Sequence, residues 1–388
     1  MKKRIIIVDC NAKIGGIQKA LIALLKQIHV SYDITLLLLN KEGALLNEIP
    51  KDVRVISTKS DFRYMGMAQA DCKTKSDKIR RGFYALISKF LGQEFAVRMA
   101  SLSLYRDVQE EYDVAISYSH LSGRKSFLGG TAQYVLNAVR SKRKICYIHC
   151  DYLHSGNRSE YSDQLYSKFD AIVCVSKSTR ERFIEAIPAM KESVYAVYNP
   201  IDGASILQQA NSNTIQYNHD YINLLSVARL TKEKGIERII EILGRINSPK
   251  FRYYVVGDGI ERNSLEKRIK ELHLEHIVTL CGEDSNPYRY MLDADLLVVP
   301  SYHEAAPVVF QEAKALNLPI LTTRTTSADE MVGNTFGFVV DNDDAFLEDQ
   351  LRNVLSQPSI LKSKKAKITN WTSQVTSAQM KITSLIDE

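Results

Sequence analysis

Glu304 and Glu312 bracket the passage from an apolar strand to a helix, and that placement suits two carboxylates to grip both ends of one ligand. The aliphatic run Leu296-Leu297-Val298-Val299 ends at Pro300. A helix then opens near Pro307, since a residue lacking an N–H costs nothing in a first helical turn. Glu304 therefore falls in the loop and Glu312 on the helix. The first amides of a helix have no intrahelical partner and carry the positive end of its dipole, so the stretch around Ala306, Pro307, Val308 and Val309 offers a seat to a pyrophosphate. Each carboxylate accepts hydrogen bonds from two adjacent hydroxyls. One can hold a sugar and the other, about a turn and a half further on, a ribose. The chemistry such an arrangement serves is glycosyl transfer from a nucleotide-sugar.

The elements that must position these residues follow from the rest of the chain. With 388 residues it is long enough for two domains that each bury a core. In the first half, strand-like runs at 4–8, 34–39, 114–117, 144–148 and 171–175 alternate with helical patterns at 17–28 and from Thr179. In the second half, strands at 222–227, 253–256, 277–280 and 296–299 alternate with helices from Ile236 and over 265–272. This is the rhythm of an α/β fold with doubly wound parallel sheets, stated twice. The Asn- and Gln-rich stretch 208–220 lacks apolar periodicity and is read as the linker. The boundaries expected are 1–205 for the first domain and 206–367 for the second, with a terminal helix, 368–388, returning to the first.

Ser301-Tyr302-His303-Glu304-Ala305-Ala306-Pro307-Val308-Val309-Phe310-Gln311-Glu312-Ala313 resembles the paired-glutamate signature of retaining GT-B glycosyltransferases, the GT4-type or group 1 family. Alanines replace a frequent glycine and aromatic at 305 and 306, and Asn317 stands where relatives often carry glycine. The resemblance implies two Rossmann-like domains facing across a cleft. It also implies roles for other residues. Arg229 and Lys234, in Ser226-Val227-Ala228-Arg229-Leu230-Thr231-Lys232-Glu233-Lys234-Gly235, would neutralise the leaving pyrophosphate, a task for preorganised charge where no metal serves. Gly257 and Gly259, after the strand at 253–256, would let backbone approach the nucleotide. Cys281-Gly282 would line the base pocket. Gly15 and Gly16 would approach the donor phosphate, and His149 would contact the transferred sugar or polarise the reacting hydroxyl.

Other signals narrow the reading. Asp293-Ala294-Asp295 looks like a metal-binding motif, but it precedes its strand instead of following it, so no metal is expected. Cys146, His149, Cys150 and His154 suggest zinc, yet Cys146 and His149 would point to opposite faces of a strand. No cofactor is expected, and dispersed cysteines predict a reduced, cytoplasmic protein. The net charge of +6 is too mild to demand nucleic acid. Lys73, Lys75, Lys78, Arg80, Arg81 and Lys89 accompany Ile79, Phe83, Leu86, Ile87 and Phe90 at helical spacing, which fits either a helix packed on its own sheet or one lying on an anionic membrane. The expectation is a metal-independent, retaining transferase. It would move a hexose-type sugar from a UDP-sugar to a saccharide or lipid-linked acceptor in bacterial surface polysaccharide or capsule synthesis. A nucleotide-sugar epimerase of the same fold and a non-catalytic subunit supporting a partner transferase are the alternatives.

Overall fold

Strands that read as unbroken apolar runs need cover on both faces, and this chain supplies it with helices flanking parallel sheets. The computed structural model describes residues 2–103, 108–121, 129–368 and 373–388, with only the backbone described for Ala70 and for the described residues between 366 and 379. Two compact units emerge, one made of Met1–Pro200 with Val375–Glu388 and the other of Ile201–Gln374.

The first unit holds β1 (Arg4–Asp9), β2 (Asp33–Leu38), β3 (Arg54–Ser57), β4 (Glu111–Ser117), β5 (Arg140–Ile148), β6 (Ala171–Cys174) and β7 (Val194–Ala196). They lie parallel in the order β3-β2-β1-β4-β5-β6-β7. Its helices are α1 (Gly16–Ile28), α2 (Lys75–Leu91), α3 (Gln93–Ser101), α4 (Thr131–Ala138), α5 (Glu160–Tyr166) and α6 (Lys177–Ala186). The strand order reverses between β1 and β4, so the loops leaving their carboxyl ends diverge, which is where ligands bind in such sheets. The chain's last helix, Ser373–Asp387, belongs to this unit from Val375 onward: Lys3 Nζ donates to the carbonyls of Ile386 (3.1 Å) and Asp387 (2.7 Å). Of the expected terminal helix, 369–372 lie outside the described residues, and Ile368 ends a separate helix, Ser359–Ile368.

In helix α2 the apolar row is split, with Ile87 packed against the core of the unit. Thr74 caps the helix by accepting from Asp77 N, and its buried contacts are made by Tyr84 and Ser88. Tyr84 OH donates to Asp61 at 2.7 Å, and Arg81 Nε donates to Met67 O at 2.8 Å. Ile79, Phe83, Leu86 and Phe90 face outward instead, 72%, 50%, 57% and 75% exposed.

The second unit holds β8 (Ile222–Val227), β9 (Phe251–Val256), β10 (Val278–Gly282), β11 (Leu296–Val299), β12 (Ile320–Thr323) and β13 (Gly337–Val340), parallel in the order β10-β9-β8-β11-β12-β13. The helices used below are α7 (Gly203–Ala210), α8 (Ile236–Ile246), α9 (Arg262–Glu271), α10 (Tyr288–Met291) and α11 (Val308–Ala315). Part of the stretch expected as linker is structured: α7 runs to Ala210, Gln209 O accepts from Asn286 Nδ2 at 2.8 Å, and Tyr217 OH donates to Tyr290 O at 2.9 Å. The division between units therefore falls upstream, at Pro200 and Ile201.

Candidate active site

In the second unit the strand order reverses between β8 and β11, which pair through Leu296 with Leu224 and Leu297 with Leu225. The loops leaving their carboxyl ends consequently emerge together. A short turn, Lys232–Lys234, is closed by Gly235 at φ +65°. A Cβ at Gly235 would stand 2.3 Å from Pro300 O, so only glycine lets this turn press against the exit of β11. The result is an ion pair, Lys234 Nζ to Glu304 Oε1 at 2.6 Å, with Ser301 Oγ donating to the same oxygen at 2.8 Å. Both bonds fall on Oε1. Among the described residues Oε2 has no partner, and it can accept from ligand hydroxyls.

Glu312 lies on α11, buried, and accepts from Tyr288 OH at 2.8 Å. Pro307 stands just ahead of the helix as its N-cap, not within its first turn, and its side chain makes no capping hydrogen bond. Ala306, Pro307 and Val308 thus flank the helix start. Asn317, after α11, takes φ +54°, the left-handed conformation that glycine adopts most readily and asparagine tolerates.

Arg229 does not join the ion pair. It is 75% exposed, 3.6 Å from Glu233. At Gly257 and Gly259, Cβ atoms would stand 1.9 Å from Ala228 O and 2.3 Å from Leu230 O. Their bare backbone makes room for the loop that bears Arg229. Gly282, at φ +82°, is different, because a Cβ there would meet nothing nearer than Arg262 Nη1 at 4.0 Å. A pocket lined by Leu230, Thr231, Lys232, Gly235, Arg238 and Tyr302 opens beside the turn and takes in neither carboxylate.

In the first unit, Gly15 caps α1 in extended conformation, and a Cβ there would crowd Gln18 Oε1 at 2.7 Å. Gly16 begins the helix, and Gln18 Nε2 donates to Asp9 at 3.3 Å. Burial pushes the Asp9 carboxyl up to about 6 despite the hydrogen bond it accepts from Ser119. His149 follows β5 and lies beside the rings of Tyr147 (5.7 Å) and Tyr118 (5.1 Å). Its Nε2 is 2.8 Å from Tyr118 O, and because a carbonyl only accepts, Nε2 carries the proton. Among the described residues Nδ1, a buried lone pair, has no partner. Burial first, and His120 second, hold His149 down to about 3.

Sequence reasoning missed Tyr288, Arg238 and His120. Burial would lower the basicity of His120, but Cys150 and Asp9 outweigh it and raise it. Cys150 is correspondingly held below the usual thiol range, burial being outweighed by His120 with help from Asn157 and Ser155. The apparent metal motif at 293–295 leads into the amino end of β11, whereas Glu304 follows its carboxyl end. Asp293 faces His219 at 3.1 Å, and Asp295 accepts from Asn223 N at 2.9 Å.

Residues 208–371 match the family model of the glycosyl transferases group 1. Over 358 residues, 91% of this chain and 90% of the relative, the sequence is 25% identical to the N-acetylgalactosamine-N,N'-diacetylbacillosaminyl-diphospho-undecaprenol 4-alpha-N-acetylgalactosaminyltransferase of Campylobacter jejuni. It is 31% identical over 158 residues to the O-antigen biosynthesis glycosyltransferase WclY of Escherichia coli, covering 40% of this chain and 43% of the relative. Among solved structures, HepE of Anabaena in complex with UDP superposes with a TM-score of 0.69 at 18% identity over the whole of both chains. The lipopolysaccharide glycosyltransferase WaaG does so with 0.64 at 16%, covering 98% of this chain and 99% of that one.

Proposed function

We propose that this chain, which belongs to the group 1 glycosyltransferases and has the GT-B fold, moves a hexose-type sugar from a UDP-sugar to a lipid-linked acceptor for bacterial surface polysaccharide. It does so with retention and without a metal. The observation that carries the reading is the Lys234–Glu304 ion pair where the β8 and β11 loops meet, with Glu312 on the adjoining helix. UDP is favoured because HepE has been crystallised with UDP and with UDP-glucose. The lipid-linked acceptor is favoured by the diphospho-undecaprenol in the name of the Campylobacter relative. Retention is supported by the resemblance of the paired-glutamate stretch at 304–312 to the retaining family.

In this reading the second unit holds the donor. Glu312 takes the ribose, Gly282 borders the base, and the backbone around Ala306, Pro307 and Val308 seats the diphosphate. Gly257 and Gly259 shape the Arg229 loop. Lys234, with Arg229 reaching in from solvent, meets the charge that develops as the sugar–phosphate bond breaks. Glu304 accepts from the sugar hydroxyls through Oε2. The Gly15-Gly16 loop of the first unit serves the donor phosphate, and His149 Nδ1 accepts from a hydroxyl at the reacting sugar. The acceptor oxygen bonds to the anomeric carbon on the face that UDP leaves, and its proton passes to the departing phosphate oxygen. A thermal-shift panel tests the donor: a UDP-sugar at about a hundred times its Kd stabilises the protein by roughly 2.7 kcal/mol. An equal response to every nucleotide tried, or to none, would count against a UDP site.

Work on a lipid-linked acceptor places the enzyme at the cytoplasmic face of a membrane, and α2 supplies the contact. Among the described residues no helix is long and apolar enough to cross a bilayer. The outward row Ile79, Phe83, Leu86 and Phe90 lies beside exposed Lys75, Lys78 and Lys89, the composition of an interfacial helix on anionic lipid. Each such cation contributes about 1 kcal/mol near the surface. Co-sedimentation with phosphatidylglycerol vesicles at low salt should be lost on changing Phe83, Leu86 and Phe90 to Ser. Arg80 and Arg81 are left alone in that variant, since they bond Asp61 and Met67 within the unit. Sedimentation that survives the triple change removes α2 as the contact.

A further inference from the structure

The loop carrying Glu304 is held by its carbonyls. Val298 O accepts from Ser226 Oγ (2.5 Å), Val299 O from Thr322 Oγ1 (3.0 Å) and Pro300 O from Arg238 Nη1 (2.9 Å). Ser301 O accepts from Thr323 Oγ1 (2.5 Å) and Tyr302 O from Asn342 Nδ2 (2.9 Å). Consecutive carbonyls are thus gripped by side chains from β8, β12, α8 and the segment after β13. Arg238 is the hub. Its Nη1 also donates to Asn342 Oδ1 at 2.8 Å, its Nε donates to Asp344 Oδ1 at 2.5 Å, and its guanidinium lies 4.5 Å from the centre of the Tyr302 ring.

Arg238 is 4% exposed on a helix whose other buried residues, Ile236, Ile239, Ile240, Ile242 and Leu243, are all aliphatic. A buried guanidinium carries a desolvation cost that a packed aliphatic side chain would avoid, so stability alone does not account for it. What an aliphatic residue could not do is hold Pro300 O, orient Asn342 toward Tyr302 O and stack on Tyr302 together. Gly235 adds to the same fit, because its absent side chain is what lets Pro300 and the Arg238 stem close on the Lys234 turn.

We propose that Arg238 is a positioning residue for the transfer reaction: by fixing the loop from Pro300 to Tyr302 it keeps Glu304 docked against Lys234 in the orientation the sugar requires. This rests on the reading of Glu304 as the sugar-holding carboxylate. A loosened carboxylate costs turnover, on the order of 10²-fold for a displacement near 1 Å, while the ribose contact at Glu312 stays intact.

The test combines two readouts on the full chain. In Arg238→Met, backbone hydrogen exchange over residues 300–306 should rise while exchange within α11 stays as in wild type. With a UDP-sugar that the wild type uses, kcat should fall on the order of 10²-fold with UDP affinity unchanged within about twofold. Arg238→Met combined with Glu304→Gln should be no slower than Glu304→Gln alone, because one change acts through the other. Unchanged exchange over 300–306, or losses that multiply in the double variant, would overturn the proposal. Should Arg238→Met fail to fold, Asn342→Ala, which removes the donor to Tyr302 O and an acceptor of Arg238 in one step, enters the same cycle with the same expectations. A wild type that transfers from no UDP-sugar refutes the function proposed above, and the exchange experiment still decides the role of Arg238.

Discussion

At His149 one contact decides the chemistry. With Nε2 donating to Tyr118 O, the ring offers a lone pair on Nδ1 and no charge. Its pKa in the fold, about 3, lies below the ordinary 6.5, so the fold favours the neutral ring. That preference makes stability fall as pH drops from about 6.5 towards 3 and leaves it flat above. Turnover between pH 5 and 8 should therefore show no ionisation belonging to His149, and His149→Ala should lower kcat about tenfold through a lost hydrogen bond. A kinetic pKa in that window that vanishes in the variant would place a charge on the ring and contradict the assignment. The two glutamates divide differently: Glu312→Ala should weaken UDP binding, and Glu304→Gln should mainly slow turnover. Near-wild-type kinetics in both would dissolve the site. Their spacing was legible in the sequence. Tyr288 and Arg238 were not, because what makes them matter is contact with Glu312 and Pro300, residues distant in the chain.

At the scale of elements, α11 carries a second buried charge. Lys314 lies with its amine 4.2 Å from the centre of the Phe336 ring, and burial lowers its pKa from 10.5 to about 8. The native state therefore releases this proton before the unfolded chain does, and stability rises with pH between about 8 and 10.5. Lys314→Met, which keeps the stem and removes the charge, should raise Tm at pH 7, by about 2–4 °C for each kcal/mol relieved, and flatten that rise. A lower Tm would show that the amine has a stabilising partnership. The strand before this helix was readable from its aliphatic run, but β12 was not. Its Thr322 and Thr323 are fully buried because their hydroxyls serve the carbonyls of Val299 and Ser301, so a core strand reads as half polar. In α2 the apolar spacing was visible, yet which side packs was decided by Tyr84 and Ser88, outside the apolar row.

At the scale of the molecule, the repeated strand–helix rhythm revealed two units because each parallel sheet must be covered on both faces. The break between them was less legible, since the polar stretch is tied down through Gln209 and Tyr217. Both sheets reverse strand order, β1 to β4 and β8 to β11, and His149 and Glu304 lie at or beside the carboxyl ends of those strands. The central claim is that these residues carry out sugar transfer with fixed protein charges standing in for a metal. Its most direct test incubates the full chain with a UDP-sugar and an undecaprenyl-diphosphate-linked saccharide in excess EDTA, reading the anomeric proton of the product by NMR. The account predicts that transfer proceeds undiminished and that the new linkage keeps the donor's anomeric configuration; activity lost to EDTA and restored by Mn²⁺, or an inverted linkage, would contradict it.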